Sequence, residues 1–387
     1  MDPQNLSRAG TNILQTGGYR AFIPNPLPPV PPIDMDGPMW ASLSRADRSL
    51  GRLDAVTETL PNPDLFVFMY VRREAVLSSQ IEGTQASLDD LLEFEVQAQR
   101  LSKTPDVAEV ANYVAAMNYG LDRLRALPLS LRLIRETHER LLAGVRGSER
   151  TPGEFRRSQN WIGPPGCDLS GATFVPPPVH EMHQALDQLE KFMRLRGQMP
   201  DLAEVGLVHA QFETIHPFLD GNGRIGRLLV TLLLCERGIL SRPLLYLSIF
   251  FKRHRQEYYD RLQAVRESGD WEGWLRFFLR GVAEVAHDAT ETARGILAIR
   301  ELYREAIHQK GTRSAAKVLL LLDRLFLNPY VSVAEVEKLA GVSYSNANQL
   351  VATLCDLEIL REITGQRRNR LFRFERYLAL FREADEA

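Results

Sequence analysis

The stretch His216-Pro217-Phe218-Leu219-Asp220-Gly221-Asn222-Gly223-Arg224-Ile225-Gly226-Arg227 constrains this 387-residue chain more than any other. Apolar helical patterns at about 201–215 and 224–238 bracket it. The first pattern should stop near His216, because the residue before a proline is pushed out of the α region. Gly221-Asn222-Gly223 are the residue types that best tolerate positive φ, and they predict a loop whose N–H groups converge. A helix starting directly afterwards aims its free N–H groups and positive dipole end at the same space. Two helices joined through an anion-attracting turn are the unit around which the rest must fold.

The charges of this stretch say what the turn attracts. Arg224 and Arg227 are i, i+3 neighbours at a helix N-terminus, where like charge costs about 0.2–0.5 kcal/mol and the dipole adds a similar penalty. A polyphosphate removes both penalties and accepts several charge-assisted hydrogen bonds. Asp220 supplies the single carboxylate needed by a magnesium ion held mainly by phosphates and water. His216 has a side chain that exchanges a proton near neutral pH. A competing reading is a zinc-type centre at His209, Glu213 and His216, spaced i, i+4 and i+7. Pro217 argues against it by turning His216 off that helix, which makes His209 and Glu213 core or supporting residues.

The remainder of the chain reads as an all-α protein with local exceptions. At this length two or three domains are expected. A net charge of −2 provides no overall field toward nucleic acid or an anionic membrane. Three widely spaced cysteines, Cys167, Cys235 and Cys355, form neither a disulfide framework nor a zinc pattern, which fits a reducing, cytoplasmic setting. No secretory apolar run opens the chain, and the longest apolar stretch, Leu228 to Cys235, is far short of the roughly 18 residues that span a bilayer.

Residues 1–40 read as a proline-rich, extended arm. Helices are expected over Asp64–Gln80 and Val107–Leu127, then at about 180–198, 254–267 and 271–296. The interruption from Thr151 to Pro178 contains two β-like runs, around Trp161-Ile162 and Phe174-Val175, and predicts an irregular hairpin. The last part changes pattern: helix, turn, helix, then two strand-like runs around Gly365–Arg370, the order of a winged helix. The expected division is 1–105 for arm and N-terminal helices, 106–300 for the catalytic helices and 308–387 for the winged helix.

The twelve-residue stretch resembles the motif of the Fic family, His-Pro-Phe-x-Asp/Glu-Gly-Asn-Gly-Arg-x-x-Arg, with every fixed position present. The resemblance implies a Fic-type helical core with a small hairpin flap, acting as a nucleotidyltransferase. In it His216 deprotonates a target hydroxyl and Asp220 holds magnesium. Asn222 with the Gly221–Gly223 backbone cradles the inner phosphates, Arg224 and Arg227 engage the outer ones, and Ile225 and Gly226 belong to the same nucleotide-binding segment. The implied reaction leaves AMP from ATP on Tyr, Thr or Ser of a protein target or of the chain itself. Transfer of another phosphate-containing group, or a winged-helix regulator with a vestigial Fic domain, are the alternatives.

Ser78-Ser79-Gln80-Ile81-Glu82-Gly83 resembles the family's inhibitory motif, Ser/Thr-x-x-x-Glu-Gly/Asn. Its i, i+4 spacing sets Ser78 and Glu82 on one helical face, and Gly83 suits a helix end. By the resemblance Glu82 pairs with Arg227 and misorients ATP; removal of AMP by the same site stays open. The hairpin, with Trp161, Ile162, Gly163, Phe174 and Val175, resembles the flap that registers a target main chain by β-augmentation. Tyr258 and Tyr259 stand where relatives contact the nucleoside, and Arg266 stands where some carry an asparagine. In the C-terminal part, Ser345–Leu357 has no Lys or Arg while Arg361, Arg367, Arg368, Arg370 and Arg373 cluster on the wing, which leaves both DNA contact and a packing or homodimer role open.

Overall fold

The computed structural model describes residues 6–58, 63–97, 104–164, 166–197, 199–311 and 313–386. The first residues of the arm, and Pro165 of the hairpin loop, therefore lie outside the described residues. Instead of a purely extended arm, the chain opens with three short antiparallel strands, β1 (Leu6–Ser7), β2 (Gly10–Leu14) and β3 (Arg20–Pro24). Gly17-Gly18 at the β2–β3 turn was the available signal, and the proline-rich run from Pro24 to Pro32 begins only where β3 ends. Phe22 in β3 donates its backbone N–H to Val175 O at 2.9 Å, so this sheet lies alongside the expected flap.

Helices α1 (Gly37–Glu58), α2 (Pro63–Ile81), α3 (Leu88–Gln97), α4 (Pro105–Leu124) and α5 (Leu131–Leu141) follow. After the irregular segment come α6 (Val179–Arg194), α7 (Asp201–Ile215), α8 (Asn222–Glu236), α9 (Ser248–Arg253), α10 (Arg255–Ser268) and α11 (Trp271–Lys310). Each expected helix is present, with ends shifted by a few residues except for the far end of α11.

The centre of the fold is the α7–α8 pair. Both helices are enclosed on all sides, and Leu207, Val208, Phe212, Leu229 and Leu233 are fully buried. α6, α10 and α11 cover α7; α4 and α5 cover α8; α2 lies against α4, α8 and α9. Gly206 lets α11 approach α7: a Cβ there would stand 2.9 Å from Leu275 and 3.0 Å from Phe278. The contact is locked by Trp274 Nε1 donating to Gly206 O at 2.8 Å.

α11 runs past its expected end near 296 to Lys310, where Gly311 at φ 58° stops it. Its apolar face continues through Ile299, Tyr303 and Ile307, and that face receives the C-terminal elements. These are α12 (Ala315–Leu327), β4 (Tyr330–Ser332), α13 (Val333–Ala340), α14 (Tyr344–Asp356), β5 (Arg361–Glu362), β6 (Leu371–Arg373) and α15 (Glu375–Glu386). The strands form an antiparallel sheet in the order β4-β6-β5. A capping box between Ser332 and Glu335 starts α13. Tyr330 donates to Asp89 at 2.7 Å and Phe381 packs edge-on against Tyr70 at 5.6 Å, so the C-terminal part touches both α2 and the loop helix after it. Among the described residues no helix is long and apolar enough to cross a membrane.

Candidate active site

α7 ends where Pro217 requires. His216 takes the left-handed conformation at φ 49°, ψ 60°, with its N–H still on Phe212 O at 3.0 Å. A non-glycine residue held there is strained, and the neighbourhood over-determines it. His216 O accepts from Arg156 Nε and from Asn160 Nδ2, both at 3.1 Å. Asn160 Nδ2 also reaches Phe218 O at 2.9 Å, and Arg156, wholly buried, bonds Ser158 O and Pro177 O. The imidazole sits beside Arg266, whose guanidinium lies 3.9 Å from the centre of the Phe174 ring and bonds Glu213 O and Thr214 Oγ1. Burial first, then the Arg266 and Arg156 charges, push His216 down to about 4. Its ring is thus neutral at pH 7, and Nδ1 is buried without a partner.

The Asn222 side chain is turned onto its own loop. Its Oδ1 accepts from Phe218 N and its Nδ2 donates to Phe218 O, both at 2.8 Å. These bonds shape the loop and leave the backbone N–H groups at the start of α8 facing the site. Gly221, at φ 77°, opens that helix. His138 from α5 supports the same turn: it stacks on Phe218 at 3.7 Å and 6°. Because Gly153 N–H donates to its Nδ1, its Nε2–H must donate to Asp220 O, at 3.0 Å. Burial pushes His138 to about 4, so it stays neutral.

Arg227 is buried and donates from Nε to Ser78 Oγ (2.8 Å), and from NH2 to Ser78 O (2.9 Å) and Glu82 Oε1 (2.7 Å). The expected Ser78–Glu82–Arg227 contact is therefore formed. Burial pushes the Glu82 carboxyl up, and Arg227, with Arg224 behind it, more than reverses this and holds it below its usual range. Gly83 follows at φ 99°, as a helix end demands. Gly223 gives the Glu82 carboxylate its place, since a Cβ there would meet Glu82 Oε1 at 2.3 Å and displace it. Glu82 thus lies across the N-terminus of α8, where the phosphates were expected.

Arg224 is equally buried but poorly partnered. It lies 3.5 Å from Glu109 and 3.5 Å from Asp220, and its Nε has no partner. Asp220 keeps 38% of its side chain exposed. One open carboxylate beside an anion site fits a magnesium ion that takes its remaining ligands from phosphate and water. The three-residue metal reading fails, because His209 is sealed in the core with Nδ1–H on Gly226 O and Nε2 accepting from Tyr258, both at 2.9 Å. Tyr258 is corrected with it: 1% exposed and committed to His209, it packs the core and does not face a nucleoside. Tyr259 is 41% exposed, and after burial the Glu82 charge is the next influence raising its hydroxyl, which puts it on the open side of the site.

Ile162 and Phe174 exchange two backbone hydrogen bonds, 2.8 and 3.0 Å, in the expected hairpin. Trp161 is 42% exposed, Phe174 and Val175 are buried, and Gly163 packs against Cys167, whose Sγ a Cβ would meet at 2.6 Å. Ile225 is enclosed, and Gly226 accommodates Glu213, whose Oε1 a Cβ would meet at 2.4 Å. His138, Arg156, Asn160 and Glu109 escaped the sequence reading as site residues. Each lies far from the motif in sequence; burial marks His138, Arg156 and Glu109, and half-buried Asn160 is marked by its bonds to His216 O and Phe218 O.

Residues 40–122 match the Fic/DOC family N-terminal domain and residues 128–234 the Fic/DOC family. The probable protein adenylyltransferase aq_aa38 of Aquifex aeolicus (strain VF5) is 27% identical over 202 residues, 52% of this chain and 57% of that protein. The protein adenylyltransferase Fic of Aedes aegypti is 38% identical over 153 residues, 38% of this chain and 27% of that protein. The chain thus aligns with little more than half of the first relative and about a quarter of the second. Among solved structures, a Fic family protein from Desulfovibrio desulfuricans G20 has the same fold, with TM-score 0.56 at 18% identity over 89% of this chain and 97% of that one. Both family matches fall on the helices that build the site, so residues 40–122 and 128–234 carry the N-terminal and Fic domains of the Fic/DOC family.

Proposed function

We propose that this chain is a protein adenylyltransferase: it moves AMP from ATP to a Tyr, Thr or Ser hydroxyl of a protein target or of itself, and Glu82 restrains it. The observation that carries the reading is one junction. A neutral imidazole stands beside a helix N-terminus flanked by Arg224 and Arg227, and the carboxylate of Glu82 occupies the anion's place. In the reaction the target oxygen attacks the α-phosphorus while its proton passes to His216. The bond to the β-phosphate oxygen breaks and pyrophosphate leaves. Arg156 and Asn160 keep His216 O, and hence the ring, in position. Backbone N–H groups from Gly221 to Gly223 and the two arginines receive the phosphates, supplying orientation and charge neutralisation. Asp220 would hold magnesium, which neutralises phosphate charge when bound. The flap edge around Trp161, Ile162 and Gly163 takes the target main chain.

The test uses the Glu82→Gly protein with ATP labelled at either the α- or the γ-phosphate. Label from the α position should appear on protein and vanish in a second variant carrying His216→Ala as well. Label from γ alone, or none from α, overturns the reading.

We read residues 1–105 as the restraining region, 106–300 as the catalytic helices and 308–387 as a winged helix, in keeping with the order α12-β4-α13-α14-β5-β6. Its role is packing or pairing of chains more than DNA contact: Arg370 donates to Asn348 and Arg373 pairs with Glu375, which leaves Arg361, Arg367 and Arg368 exposed on the wing. Three unpaired cysteines support a cytoplasmic setting.

A further inference from the structure

We propose that Arg146, on the turn after α5, is a third polyphosphate-binding arginine of this site; the proposal rests on the ATP-dependent reading above. Arg146 lies outside the motif, and its surroundings are unusual for a surface cation. Its NH2 is 3.1 Å from Glu109 Oε2, a carboxylate whose side chain is only 2% exposed. The same oxygen lies 3.5 Å from Arg224 NH1 and accepts from Thr84 Oγ1 at 3.3 Å, one residue past the inhibitory Gly83. One buried carboxylate therefore serves two guanidinium groups, and Arg224 Nε is left with no partner at all.

The turn is held so that Arg146 cannot drift away. Asn112 of α4 donates to Ala143 O at 2.8 Å, upstream of Arg146. Downstream, Gly147 at φ 86° lies so close to Asp220 that a Cβ would stand 2.6 Å from Asp220 Oδ2. Arg146 is thus the residue before the one that touches the proposed metal carboxylate. Unlike Arg224 and Arg227, it keeps 57% of its side chain in solvent, with most of its donor fork open.

Charge balance points the same way. With Glu82 in place, Arg146, Arg224 and Arg227 face Glu82, Glu109 and Asp220. When Glu82 withdraws, three arginines face two carboxylates, and an incoming polyphosphate restores the balance. A solvated surface ion pair would contribute little and would not share its carboxylate with a buried arginine. We assign Arg146 to the outer phosphates, where Arg224 meets it over Glu109, and where guanidinium geometry suits bidentate phosphate contact.

The experiment is calorimetry in the Glu82→Gly protein, with magnesium, using ATP and AMP as probes. Arg146→Ala should weaken ATP binding roughly tenfold, the effect of one lost charge-assisted contact, and leave AMP binding unchanged. Arg146→Lys should recover part of the ATP affinity, because a point charge replaces the fork. Unchanged ATP affinity in Arg146→Ala overturns the proposal. Equal losses for ATP and AMP, or a change confined to KM for the protein target, also overturn it, since they indicate a structural or a target-binding role. If the Glu82→Gly parent itself takes up no ATP, the function proposed above fails as well, a result distinct from failure of Arg146 alone.

Discussion

Replacing Glu82 with glycine isolates the contact that most limits this site. Glu82 lies one residue past the end of α2, so the change removes a side chain without putting glycine inside a helix. Arg227 loses one of three hydrogen bonds and keeps two on Ser78, at 2.8 and 2.9 Å, so it stays aimed at the α8 N-terminus. A hydrogen bond between charged groups contributes about 1.5–3 kcal/mol. The lower end applies, because 35% of the Glu82 side chain meets solvent and is screened. Since about 1.4 kcal/mol is a factor of ten, α-phosphate label should enter protein at least roughly tenfold faster in the variant. The assay is incorporation from α-labelled ATP, with thermal melting to show that both proteins are equally folded. Equal rates from equally stable proteins refute the restraint.

Two further outcomes follow from the same geometry. Gly147→Ala forces a methyl group against Asp220 Oδ2 at a positive φ, so magnesium titrations of ATP binding should shift to higher metal concentration; an unchanged titration counts against Asp220 as the metal carboxylate. Glu213 is buried with Oε1 unpartnered, and burial pushes it up to about 7 against an ordinary 4.5. A raised carboxyl favours folding at low pH and loses that contribution as the pH climbs from 4.5 through 7. The melting temperature of Glu213→Gln should therefore gain on wild type across that range, and a constant difference would show that Glu213 is ionised at no cost.

The parts legible in the sequence are those that short-range sterics dictate. Pro217 compels His216 out of the helix, and glycines at 221 and 223 permit the turn and the close approach of Glu82. The i, i+4 spacing of Ser78 and Glu82 gave one helical face, and both side chains reach Arg227 from it. The alternating turn and helix pattern after residue 313 outlined the C-terminal part. What tertiary structure alone decided is which distant groups share one space. It brought Arg156, Asn160 and His138 under the catalytic loop, Glu109 between Arg146 and Arg224, and the N-terminal sheet against the flap. It also sealed Tyr258 in the core, turned the Asn222 amide back onto its own loop and made His216 neutral by burial. Backbone conformation depends on a residue and its neighbours, whereas burial, and with it charge state and hydrogen-bond partner, depends on what the rest of the chain packs against that residue.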